Sequence, residues 1–153
     1  MREPNKEALV VYCDGGARGN PGPGAAGCLI EDLAGKVRYF CGKYLGEITN
    51  NQAEYQAVKL ALEVIIENYK SAKDINVYLD SLLATQQLNG IFKVKNPKLK
   101  ELFMEVRALE AGLGEIYYFH INRERNFEAD RLANKSMDER STFVTKEFMI
   151  DKP

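Results

Sequence analysis

Two apolar runs in this chain end on an aspartate and break at once into a turn. The first is Val10-Val11-Tyr12-Cys13-Asp14, followed by Gly15-Gly16; the second is Val77-Tyr78-Leu79-Asp80, followed by Ser81. Each reads as a buried strand with a carboxylate at its carboxyl end. Side by side and parallel, such strands place both carboxylates in the crevice where open α/β sheets bind ligands. Neighbouring strands lie only about 4.8 Å apart. Two carboxylates that close repel unless one takes a proton or a cation stands between them. A fold for this chain has to accommodate that crowding.

The length, 153 residues, favours one domain with a real core, and 45% hydrophobic with 28% charged residues is a globular balance. The segment Met1-Arg2-Glu3-Pro4-Asn5-Lys6 lacks the shape of a leader, because no long apolar stretch follows it. No run reaches the length of a membrane span. These features predict a soluble, cytoplasmic monomer with no membrane partner. Cys13, Cys28 and Cys41 have no Cys-x-x-Cys spacing, so they read as small buried hydrophobes in a reducing compartment. A net charge of −1 argues against a uniformly basic nucleic-acid surface. It leaves room for a local basic patch offset by an acidic centre. The single histidine, His120, excludes histidine-rich metal sites, and no Gly-x-Ser-x-Gly elbow supports a serine triad.

Residues 8–14 read as the first strand, followed by a Gly/Pro turn from Gly15 to Gly24. Residues 25–31 and 37–45 read as a hairpin joined at Asp32-Leu33-Ala34-Gly35. Thr49 and Gln52 form a capping box, and Ala53, Ala57, Leu60, Ala61, Val64 and Ile65 recur at helical spacing to about Tyr69. A strand over 75–80 and a short helix over 81–89, stopped by Gly90, follow. Asn96-Pro97 starts a further helix with proline at its favoured first position. A strand over 116–121 and a helix over 127–137 complete the pattern. The segment from Thr142 has weak alternation and no assignment. Strands one to three, joined by turns, are antiparallel; strands one, four and five, joined through helices, are parallel by the right-handed crossover rule. The expectation is an α/β fold with a mixed five-stranded sheet flanked by helices, formed by residues 1–140, with 141–153 as a tail.

Two further carboxylates fall where helices begin. Glu54 sits in the first turn after Thr49, where acidic residues favour the helix dipole without any function. It also stands on the apolar stripe, three residues before Ala57, and a carboxylate facing the sheet needs a partner. Asp130 alone reads as an exposed helical aspartate paired with Arg131 or Asn134. Together, Asp14, Glu54, Asp80 and Asp130 form a hard-oxygen set suited to Mg²⁺ or Mn²⁺ and not to zinc. Paired ions about 3.5–4 Å apart flank a phosphodiester, one activating water and the other stabilising the departing oxygen. The turn Gly15 to Gly24 lacks the Gly-Lys-Ser/Thr ending of a P-loop. It reads equally as a rigid connector and as a place where a nucleic-acid backbone comes close.

Four motifs now stand in order. They are Asp14-Gly15-Gly16 with Gly19-Asn20-Pro21-Gly22-Pro23-Gly24, then Thr49-Asn50-Asn51-Gln52-Ala53-Glu54, then Leu79-Asp80-Ser81, then Asn126-Phe127-Glu128-Ala129-Asp130-Arg131-Leu132-Ala133. Each is weak alone; the ordered set, spanning residues 8 to about 137, resembles the type 1 ribonuclease H family. The resemblance implies a ribonuclease H-like fold and a metal-dependent endonuclease that cuts the RNA strand of RNA–DNA hybrids. It implies two ions bridged by Asp14, with Glu54 and Asp80 holding one and Asp130 helping to hold the ion that carries the attacking water. It also implies that Asn20, Asn50 and Asn51 lie along the hybrid, touching 2′-hydroxyls and base edges, although Asn50 and Asn51 also suit simple capping.

The match departs from the family in two places. Many members carry a histidine on a mobile loop before the last helix; here His120 reads as a strand residue, and only Arg123 to Arg125 separate the strand from Asn126. The segment resembles a short-loop subgroup with arginine at the position of Arg123, which reads as a phosphate neutraliser or as a solvated turn residue. The family's basic protrusion is missing, leaving Lys93, Lys95, Lys98 and Lys100 as either a modest phosphate patch or a solvated face. Competing readings are a nuclease of the same fold acting on double-stranded RNA or branched DNA, and a non-catalytic hybrid-binding module. The complete carboxylate set weighs against the module.

Overall fold

A computed structural model describes residues 7–150; residues 1–6, read above as carrying no leader, and 151–153 lie outside the described residues. In chain order the elements are β1 (Leu9–Ala17), β2 (Gly22–Asp32), β3 (Val37–Ile48), α1 (Asn50–Asn68), β4 (Ile75–Leu79), α2 (Leu82–Leu88), α3 (Pro97–Glu110), β5 (Ile116–His120), a 3-10 turn (Arg123–Asn126), α4 (Phe127–Glu139) and β6 (Phe143–Phe148). One mixed sheet has the order β5-β4-β1-β2-β3-β6. β1 pairs parallel with β4, and β4 with β5, while the β1–β2, β2–β3 and β3–β6 pairs are antiparallel. The parallel and antiparallel assignments made from the sequence hold.

The helix starts are those the sequence signals. The Thr49 hydroxyl accepts from Gln52 N at 3.2 Å, and Thr49 N donates back to Gln52 Oε1 at 3.2 Å. Asn96 caps α3 by accepting from Lys98 N and Leu99 N, with Pro97 in the first turn. On α1 the small and aliphatic stripe Ala53, Ala57, Val58, Ala61 and Ile65 is fully buried against β1 and β2. Each large aliphatic side chain buried this way contributes about 1.5–3 kcal/mol. α4 covers the opposite face of β1 to β3.

Both helices come closest at glycines. A Cβ on Gly15 would stand 2.1 Å from the Ala53 carbonyl oxygen, and one on Gly27 would stand 2.4 Å from Ala133 N. No side chain fits at either point. The three cysteines are free, buried and aligned across neighbouring strands, Cys13 opposite Cys28 and Cys28 opposite Cys41, as expected of small hydrophobes.

Two expectations change. The sheet has six strands rather than five, because the segment from Thr142 supplies β6, paired with β3 from Val37↔Phe148 to Gly42↔Phe143. β6 is an edge strand whose residues are nearly all exposed, so only weak alternation marked it. The Gly/Pro turn is also shorter than it reads. β1 and β2 stay paired through Ala17↔Gly24, and only Arg18–Pro21 turn, closed by Arg18 N donating to Pro23 O at 2.8 Å. Small residues sustain that pairing without the bulky alternation that signals a strand.

Replacing Gly27 by alanine forces α4 off the sheet. Urea unfolding is expected to show a loss of about 1–3 kcal/mol or more with an unchanged denaturant slope; a midpoint equal to wild type would show that the contact is not close.

Candidate active site

The register of β1 on β4 runs to Cys13↔Leu79, so Asp14 and Asp80 are the next residues at the carboxyl ends of two adjacent parallel strands. Glu54 arrives on the first turn of α1 and Asp130 on the first turn of α4. The structure brings the four together. Asp14, Glu54 and Asp80 are half-buried and Asp130 is exposed. Burial, the Asp80 charge, a side-chain hydrogen bond with Asp130 and the Glu54 charge together push the Asp14 carboxyl up to about 8. Glu54 is pushed up to about 7, chiefly by burial, with Asp80 raising it and the Ser81 hydroxyl and the Arg123 guanidinium pulling it down.

Glu54 Oε2 is buried and has no hydrogen-bond partner. A carboxylate oxygen in that condition, beside the charges of Asp14 and Asp80, fits a divalent cation. Among the described residues no trio of acidic, histidine or cysteine side chains forms a ready-made cage for an ion. Magnesium, which takes few protein ligands and completes its shell with water and substrate phosphate, does not need one.

Asn20, Asn50 and Asn51 are exposed on the rim. Asn20 Oδ1 accepts from Asn50 N at 3.0 Å, and Asn50 Oδ1 accepts from Ala17 N at 2.9 Å, tying the β1–β2 turn to the start of α1. The turn is held from the other side by Arg18, whose guanidinium pairs with Asp138 at 2.6 Å and donates to Asn134 Oδ1 at 3.3 Å. Arg123 is exposed and close enough to Glu54 for its charge to be felt there. His120 ends β5, as its apolar surroundings indicated, and its Nε2 lies 3.2 Å from the Asp80 carbonyl oxygen. Only Ile121 and Asn122 separate β5 from the 3-10 turn. Lys93, Lys95, Lys98 and Lys100 are exposed on the α2–α3 connection and the start of α3, with no helical protrusion between these helices.

Sequence reasoning gave no role to Asn126. It is 1% exposed, and its Nδ2 donates to Cys13 O at 2.8 Å and to Asp80 Oδ2 at 2.9 Å. It therefore fixes one carboxylate of the cluster against the strand that carries another. Its place just before α4 makes it look like a cap, yet it makes no side-chain capping bond. An asparagine in a cap position followed by Phe127 instead of a capping-box pair was the available signal.

The sequence and the fold are also similar to those of known proteins. The profile of the family described as reverse transcriptase-like matches residues 12–136. A ribonuclease HI of Halobacterium salinarum is 37% identical over 138 residues, covering 90% of this chain and 68% of that protein. A bifunctional protein of Mycobacterium tuberculosis is 37% identical over 131 residues, 85% of this chain but 35% of its own length. The chain thus spans about a third of the length of the first curated relatives it matches. The crystal structure of LC11-RNase H1 in complex with an RNA/DNA hybrid superposes with a TM-score of 0.80 at 38% identity, covering 86% of this chain and 98% of that one. The chain belongs to the ribonuclease H family.

The raised carboxyls have a stability consequence. The folded protein binds a proton at Asp14 up to about pH 8, whereas an unfolded aspartate releases it near the ordinary value of 3.8. This contribution is full below the ordinary value and is lost as pH rises towards 8. Without divalent ions, wild type is expected to lose stability between about pH 5 and pH 8 relative to Asp14→Asn. At pH 8 the variant should melt about 5 °C higher. Equal melting points in chelator at both ends of that range would show that the carboxylates are not crowded.

Proposed function

We propose that this chain is a metal-dependent endoribonuclease that hydrolyses the RNA strand of RNA–DNA hybrids. The observation that carries the reading is the convergence of Asp14, Glu54, Asp80 and Asp130 at the ends of β1 and β4, with one Glu54 oxygen buried and unpartnered. The similarity to a ribonuclease HI and to a protein crystallised with a hybrid supports the substrate class. These four side chains would hold two Mg²⁺ or Mn²⁺ ions. The chemistry such ions would supply there is activation of water and stabilisation of the departing oxygen of the phosphodiester.

The protein's own groups prepare that reaction. Asp14 hydrogen-bonds to Asp130 and feels the charges of Asp80 and Glu54, so it sets the charge of the centre. Asp130 hydrogen-bonds to Asp14 from the solvent side, where water reaches it. Asn126 fixes the orientation of Asp80. Asn20, Asn50 and Asn51 face a shallow minor groove, where 2′-hydroxyls distinguish RNA from DNA. Arg123 offsets phosphate charge beside Glu54. Residues 1–140 are the working unit, with the remaining segment adding β6 at the far edge of the sheet. Among the described residues no helix is long and apolar enough to cross a membrane.

The decisive experiment is cleavage of a labelled hybrid with Mg²⁺ or Mn²⁺. Wild type is expected to cut the RNA strand, and Asp14→Asn to lose about a thousand-fold or more, the scale of removing a principal electrostatic element of a site. No product with either ion would favour a binding module, and preferential cutting of an RNA or branched-DNA duplex would reassign the substrate. His120→Ala is expected to keep substantial turnover while Arg123→Ala loses more; equal losses for His120→Ala and Asp130→Asn would reverse that assignment. Each true phosphate contact steepens the salt dependence of binding by about 0.9 log unit per log unit of salt. The double variant Lys95→Ala, Lys98→Ala should therefore flatten the slope measured by titration, and an unchanged slope removes the lysine patch from the interface.

A further inference from the structure

The 3-10 turn carries a guanidinium at each end of its basic run. Arg123 acts on Glu54 in the carboxylate cluster, and Arg125 acts on the Tyr12 hydroxyl on the other side of the turn. Beneath Arg125 lies an open cavity of about 460 Å³ walled by Tyr12, Leu29, Phe40 and Phe127. Phe127 is 66% exposed although it opens a helix that packs on the sheet. Tyr12 belongs to a row of rings across three strands, 5.3 Å from Tyr78, which is 5.3 Å from Phe119.

Of the charged groups on the cavity wall, Glu31, Arg38 and Glu128 are engaged in ion pairs and, among the described residues, Arg125 is not. Glu31 is neutralised by Arg38 at 2.8 Å and Glu128 by Arg131. Among the described residues Arg125 has no ion-pair partner. The net result is aromatic surface under an uncompensated guanidinium. Cavity and carboxylate site also share a wall, because Asn126 lines the first and bonds Asp80 in the second. Tyr12 precedes Asp14 by two residues on the same face of β1, a separation of about 7 Å.

We propose that Arg123, Arg125 and the pocket of Tyr12, Phe40 and Phe127 form a track for an unpaired extension of the RNA strand beyond the hybrid. Guanidiniums follow the phosphates and a base enters the aromatic pocket, the combination by which proteins hold single-stranded nucleic acid without reading its sequence. This rests on the hybrid-cleaving reading. The track lies to one side of the carboxylates, so an extension at only one end of the RNA strand reaches it.

The test compares a blunt hybrid with hybrids extended by single-stranded RNA at either end. For wild type, one of the two extensions is expected to lower KM about five-fold or more. Phe127→Ala and Arg125→Ala, both exposed positions, should abolish that gain while cutting the blunt hybrid as wild type does. The inference is overturned if neither extension helps, or if the gain survives both substitutions. Self-association that Phe127→Ala abolishes, with no effect of extension, would assign the surface to a second copy and likewise overturn it. Anisotropy of the labelled hybrids in chelator separates this inference from the activity. Tighter binding of the extended hybrid, lost in both variants, supports the track even if no hybrid is cut.

Discussion

Repulsion between carboxylates at the ends of two adjacent parallel strands is the constraint around which this molecule is organised. Asp14 and Asp80 cannot move apart, because the ladder that fixes them also builds the centre of the sheet, through Val11, Val77 and their buried neighbours. Burial adds to the repulsion by removing water from the charged forms. A chain shaped for stability alone would place amides or apolar groups there. Retaining acids at a stability cost is the usual mark of a working site.

The other two acids arrive through packing, and the points of closest packing are the ones that set the site. Gly15 follows Asp14 directly, and Ala53 precedes Glu54 directly, so the contact between Gly15 and Ala53 also fixes the approach of those carboxylates. Gly27 is the cross-strand partner of Asp14 and lies against Ala129 and Ala133, the residues that bracket Asp130. Two glycine–alanine contacts, one on each face of the sheet, therefore deliver Glu54 and Asp130 to the same strand ends. The small residues of the motifs are there because the helices must come this near.

This coupling explains why so much was legible. Apolar runs with a terminal aspartate marked β1 and β4, the capping box marked α1, and Asn96-Pro97 marked α3, because each signal is local. The same motifs that fix local backbone also fix the carboxylates, so the acidic cluster could be anticipated from four short segments. The parts that escaped are non-local. β6 gains its structure by pairing with β3, and an exposed edge strand leaves only a weak period in its own sequence. The strand extension through Gly15, Gly16 and Ala17 depends on partners across the ladder. Asn126 is buried only because β1, β4 and the 3-10 turn converge on it.

Net charge obscured the remaining feature. A chain with a balance of −1 looks indifferent to nucleic acid, but the sum hides a spatial separation. Acidic groups are concentrated in the centre, while several acids elsewhere are consumed in ion pairs such as Glu31 with Arg38 and Glu110 with Arg107. Arg123 and Arg125 stand exposed on the 3-10 turn, and Lys93, Lys95, Lys98 and Lys100 stand exposed on the way into α3. Between exposed charges more than a Debye length of about 8 Å apart, interactions are largely screened. Local placement therefore carries information that total charge does not, and the short connection between β5 and α4 is what brings the Arg123 charge to bear on Glu54.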